Sequence, residues 1–142
     1  MTESLERFVQ AQASDYELAI RELESGRKDG HWMWFIFPQL RGLGVSEQAT
    51  YYGLRGIGET RDYLEHSLLG PRLDRATRAV LNSKVPVKQV FGELDALKFA
   101  SCMTLFAAVT GDGSLYAQTL NSIVKIDLIT LEILEAQEKR ND

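Results

Sequence analysis

The chain is short of cysteine, proline, positive charge and long apolar runs, and each shortage removes a class of protein. Cys102 is alone, so no internal disulfide is possible, and no Cys/His/Asp/Glu spacing around it or around the two histidines suits a metal. Only Pro38, Pro71 and Pro86 interrupt the backbone. The longest uncharged apolar stretch, residues 99–111, falls short of the roughly 20 residues that a bilayer span needs. MTESLERFVQ has neither the basic region nor the apolar region of a secretory signal, so a cytoplasmic location is expected. With 16 Lys+Arg against 20 Asp+Glu the net charge is -4. Such a surface has no general attraction for phosphate backbones or anionic lipid, so membrane is set aside and nucleic acid ranks low. No cofactor is expected.

What is present describes a folded domain. The 142 residues are 44% hydrophobic and 25% charged, enough for one sizeable core and unlike a disordered chain. Leu5, Phe8, Val9, Tyr16, Ala19, Ile20 and Leu23 recur at helical spacing and predict a helix over about 4–25, ended by Gly26, with Gln12 as a polar group facing the core. Ser46 is a good N-cap for a helix over 47–54, and a second short helix follows over about 59–66. Gly70-Pro71 opens another, to about Asn82, with proline at its first position. Pro86 begins a turn through Phe91-Gly92. Residues 93–110 form the most apolar helix, and two further helices are predicted over about 114–124 and 127–138. No strand alternation, repeat or linker appears. The expectation is a single all-α domain over 1–142, with about seven helices around a central helix at about 93–110.

HWMWFIFPQ resists assignment. It holds four of thirteen aromatics within six residues and shows no period, so buried strand, buried helical turn and packed loop all remain open.

Chemistry concentrates in a few places. Asp95, Lys98, Ser101 and Thr104 climb the central helix at i, i+3 intervals as one polar seam on an otherwise apolar rod. A lysine there needs a partner. In one reading Asp95 pairs with Lys98, which reaches the surface near the helix start; in the other the seam floors a pocket and Lys98 meets an anion. His31, beside Trp32 and Trp34, suits a ligand pocket or an anchored loop. Gly42–Gly44 before Ser46 feeds a helix N-terminus able to receive a phosphate or carboxylate, although no Rossmann or P-loop pattern exists. Arg72, Arg75 and Arg78 line one helix side, a solvated face by default. Arg72 in the first turn opposes the helix dipole and calls for a carboxylate or a bound anion.

The blocks LERFVQAQ, HWMWFIFPQLRGLGVS, YLEHSLLGPRL and VFGELDALKFASCMTLF resemble, in this order, those of a bacterial family of unknown function. Some of its members are labelled "calpastatin". The resemblance runs from Leu5 to Phe106 and implies a mainly α-helical domain with no established activity. Calpastatin-type inhibitors are disordered chains, which the composition here contradicts. The family pattern has two serines where this chain has Ser101-Cys102, and NSIVKID replaces an aromatic-rich stretch before Asp127.

Polar groups among aromatic walls, scattered through these blocks, suggest a concave site. The leading expectation is a pocket for a small anionic ligand, nucleotide-like compounds included. Trp32 and Trp34 would stack, Lys98 and Arg72 would neutralise charge, and Gln39, Ser46 and Ser101 would supply hydrogen bonds. If turnover occurs, His31 and Asp95 are the acid/base candidates. The alternative is a non-enzymatic interaction or regulatory domain meeting a protein partner.

Overall fold

The computed structural model describes residues 4–141; residues 1–3 and 142, part of the expected 1–142 domain, lie outside it. Nine helices occur among the described residues: α1 Glu6–Ser25, α2 Met33–Ile36, α3 Glu47–Tyr51, α4 Ile57–Glu65, α5 Leu69–Ser83, α6 Val87–Phe91, α7 Glu93–Thr110, α8 Leu115–Ser122 and α9 Leu128–Asn141. The all-α class holds. The count exceeds the seven expected because HWMWFIFPQ contributes one helical turn, α2, and the turn after Pro86 closes into α6. Both are too short to display a 3.6-residue period.

α1 ends as its composition dictates. Gly26 adopts φ 81°, its N–H bonds to the Leu23 carbonyl and Arg27 N–H bonds to the Glu22 carbonyl, each at 3.0 Å, so the last carbonyls are satisfied. α5 starts earlier than predicted, at Leu69, with Pro71 third rather than first. The imidazole of His66 accepts from Leu68 and Leu69 N–H through Nδ1 at 3.1 and 3.3 Å and serves as the cap. Proline is tolerated there because the first-turn N–H groups have no helical acceptor. α3 is shorter than predicted: after Tyr51 the chain turns extended, and Leu54 pairs with Leu40 in an isolated parallel bridge.

α7 packs against α4, α6, α8 and α9, while α1 lies on α5 and α2. Phe99, Cys102, Met103, Leu105 and Phe106 of α7 are buried and meet Phe8, Tyr63, Phe37 and Phe91 in one hydrophobic cluster. Burial pushes the Cys102 thiol well above its usual pKa, so it stays protonated packing. Gln12 donates to the Phe35 carbonyl at 2.7 Å and to Tyr63 Oη at 3.1 Å, the structural role expected of it. The helix read as an apolar rod is not buried all round: its Leu94 and Leu97 are 74% and 66% exposed. The first turns of α7 place Ala96 and Phe99 in the core, while among the described residues the side that bears Leu94 and Leu97 stays uncovered.

Candidate functional site

The polar seam of α7 divides into two clusters. In the upper one, Lys98 Nζ lies 3.1 Å from Asp95 Oδ1, and Asp95 Oδ2 receives Lys28 Nζ at 2.8 Å from the loop after α1. Lys28 also donates to the Gly30 carbonyl at 2.6 Å. Each ammonium faces an indole: Lys28 lies 5.2 Å from the Trp32 ring centroid and Lys98 4.1 Å from that of Trp34. Behind Lys28 stands Glu22, whose Oε1 accepts from Asp29 N–H, Gly30 N–H and Trp32 Nε1 at 2.8–2.9 Å. Glu22, Lys28, Asp95 and Lys98 thus alternate in charge from α1 to α7.

Burial works to raise the Asp95 pKa, but the hydrogen bonds and charges of Lys28 and Lys98 outweigh it and hold the carboxyl below the ordinary Asp value. Glu22 is likewise lowered: burial opposes, while the Gly30 and Asp29 N–H groups, the Trp32 indole and Lys28 prevail.

In the lower cluster Asp127 caps α9. Its carboxylate accepts from Ser101 Oγ at 2.8 Å, Thr130 Oγ1 at 2.6 Å and Ile129 N–H at 3.3 Å, and its own N–H donates to Thr104 Oγ1 at 2.8 Å. The seam therefore docks the loop after α1 at one end and the last helix at the other.

Between these anchors opens a cleft of about 1020 Å³. Leu94, Leu97, Lys98 and Ser101 form its floor; Trp34, Gln39 and Tyr52 line one wall; Ile126 and Ile129 line the other. The backbone bridge at Leu40 and Leu54 holds the first wall, through Leu54 N–H to the Gln39 carbonyl at 2.9 Å.

Of the residues expected to share a site, Trp34, Gln39, Lys98 and Ser101 come together here, with Asp95 bonded to Lys98 behind them. The others do not join. Trp32 is 1% exposed, turned inward across the single turn of α2 and bonded to Glu22. Ser46 caps its own five-residue helix, accepting from Ala49 N–H at 3.1 Å, and stands on the exposed surface outside the lining. Arg72 belongs to the α1–α5 face, which corrects its assignment to one pocket with Lys98. It donates to Gln12 Oε1 at 3.2 Å and lies 4.8 Å over the Tyr16 ring. That amide oxygen and ring face compensate the cation in the first turn without an anion. His31 is exposed and outside the lining.

Sequence reasoning missed Tyr52, Leu94, Leu97, Ile126 and Ile129. Leu94 and Leu97 read only as part of the most apolar helix; the others carried no signal. It also missed the buried carboxylate Glu59, held by Arg7 and Arg55.

Fold and site together define an all-α protein with a half-open, mostly apolar cleft over the start of its central helix. The chain belongs to the family described as "Protein of unknown function (DUF1810)", which matches residues 2–134. It is similar to the conserved hypothetical protein Rv1873 from Mycobacterium tuberculosis, whose crystal structure superposes with a TM-score of 0.89 at 44% identity, covering 92% of this chain and 96% of that one. No curated protein matches the chain. Among the described residues no helix is long and apolar enough to cross a membrane.

Proposed function

We propose that the protein binds a small anionic ligand in the cleft, with Lys98 as the counter-charge and Trp34 and Tyr52 as aromatic walls. The observation that carries this reading is the position of Lys98. Its ammonium is fixed by Asp95 and by the Trp34 ring, yet it stands on the floor of a cleft whose volume matches the upper range of small-molecule sites. Gln39 and Ser101 add polar groups along the same floor and wall.

The reading is of binding, without turnover. Asp95 is engaged by two lysines and is a poor proton carrier near neutrality, and His31 lies elsewhere.

Calorimetric titration with mononucleotides, ADP-ribose and small carboxylates tests the proposal, alongside the ¹⁵N indole resonance of Trp34. Binding that moves this resonance and weakens in Lys98→Met is expected. A panel in which nothing binds and the resonance stays still removes the reading.

A second reading has its own support. Leu94 and Leu97 are more exposed than leucines on a finished surface need be, which favours an apolar stripe on a partner protein. For that partner Leu97→Asp would be the damaging substitution and Lys98→Met a mild one; for a small anion Lys98→Met is damaging as well.

A further inference from the structure

We propose that the occupant of the cleft is a monoanion with an apolar body, an acyl or aryl carboxylate, and that nucleoside polyphosphates are excluded; this rests on the ligand reading above. Charge is the first argument. In the chain Glu22, Lys28, Asp95, Lys98, each interior charge has an opposite neighbour on both sides, and the terminal cation, Lys98, has one. A single anionic group in the cleft continues the alternation. Further negative charge would meet Glu93, Asp127 and Asp95, which lie along or just behind the same floor; the other cations of the lining, Lys88 and Lys125, are exposed to water, which screens them.

Backbone donors give the second argument. Polyphosphate sites draw on unsatisfied N–H groups at helix N-termini. Two helices of eight or more residues start at this cleft, and both starts are acidic. The first turn of α7 carries Glu93 and Asp95, and that of α9 is closed by the Asp127 carboxylate, which accepts Ile129 N–H. Either would repel a phosphate.

The walls give the third. Leu94, Leu97 and Ile129 are 74%, 66% and 58% exposed, and with Ile126 they face the same space. An acyl chain or fused ring system removes this surface from water, whereas ribose and phosphate do not.

The test titrates the full chain with dodecanoate below its micelle concentration, 1-naphthoate, dodecanol, AMP and ATP, by calorimetry and by the Trp34 indole resonance. Dodecanoate and 1-naphthoate are expected to bind and shift Trp34. Dodecanol is expected to bind about tenfold more weakly than dodecanoate, and ATP not to bind. Lys98→Met erases the advantage of acid over alcohol, and Lys98→Arg restores it. Dodecanol equal to dodecanoate in the wild type overturns the proposal. ATP or AMP binding as tightly as the carboxylates, and lost in Lys98→Met, overturns the ligand class while the ligand reading stands. Silence from every probe overturns both.

Discussion

Arg7 and Glu59, 52 positions apart, meet as a buried ion pair: Nη1 lies 3.3 Å from Oε2, with the two side chains 3% and 6% exposed. Arg55 supplies a second cation to the same carboxylate at 2.9 Å. Arg7 also donates to the carbonyls of Ser4, Tyr51 and Gly53 at 2.7, 2.7 and 3.2 Å. The pair thus ties α1 to the segment that carries Tyr52, one wall of the cleft.

Removing the carboxylate should be costly. Glu59→Ala removes the buried carboxylate that Arg7 and Arg55 share and is expected to lower stability by about 3 kcal/mol. For a chain of this size that corresponds to a fall in Tm on the order of 10 °C. Urea denaturation measures it; a loss under about 1 kcal/mol would show that Arg7 is satisfied without Glu59.

Acid should unfold the protein through the same kind of group. Glu59 is held below the ordinary Glu value because Arg55 and Arg7 outweigh the burial that would raise it, and Glu22 and Asp95 are lowered too. The folded chain then binds fewer protons than the unfolded one. Its extra stability is fully present above the unfolded values of about 4, and it is lost as pH falls through the lower folded values. Urea midpoints between about pH 7 and 3 should decline on the acid side, and Glu59→Gln should flatten that decline. A midpoint indifferent to pH would contradict the ion pairing.

Two glycines should respond oppositely to alanine. At Gly26 the backbone has φ 81° and a Cβ would stand 2.7 Å from Val85 Cγ2, so Gly26→Ala is expected to cost about 1–2 kcal/mol. Gly58 lies within α4, where an added Cβ would meet nothing within 4 Å, so Gly58→Ala should stabilise by about 0.5–1 kcal/mol. Thermal melts of the two variants, read side by side, decide the matter.

Asp127→Ala should loosen the last helix while sparing the core. It strips Thr130 of its carboxylate acceptor, leaves Ser101 only the Leu97 carbonyl and uncaps α9, at about 1–2 kcal/mol. Hydrogen exchange is expected to quicken in α9 and to stay slow in residues 99–106 of α7. Equal acceleration in both would mean that α9 docks by its apolar contacts alone.

Half of the candidate site is legible in the sequence. Asp95, Lys98, Ser101 and Thr104 read as one seam because i, i+3 spacing on a helix makes each the neighbour of the next while the row drifts round the helix, and the seam holds as two linked clusters. Trp32 and Trp34 could not be told apart. Which indole faces the core and which the cleft depends on how one helical turn is rotated, and a single turn has no period to reveal that. Arg72 read as a cation in want of an anion because its partner Gln12 is 60 positions away.

The helices themselves, their glycine and serine ends and the apolar character of residues 99–106 were determined by the amino-acid order, because backbone hydrogen bonding and side-chain periodicity act over a few residues. Only the tertiary structure decided which polar groups meet and which apolar ones stay uncovered. Arg7 with Glu59, Lys28 with Asp95, and the exposure of Leu94 and Leu97 follow from how finished helices pack. Packing brings together groups far apart in the chain, and no short-range pattern records the outcome.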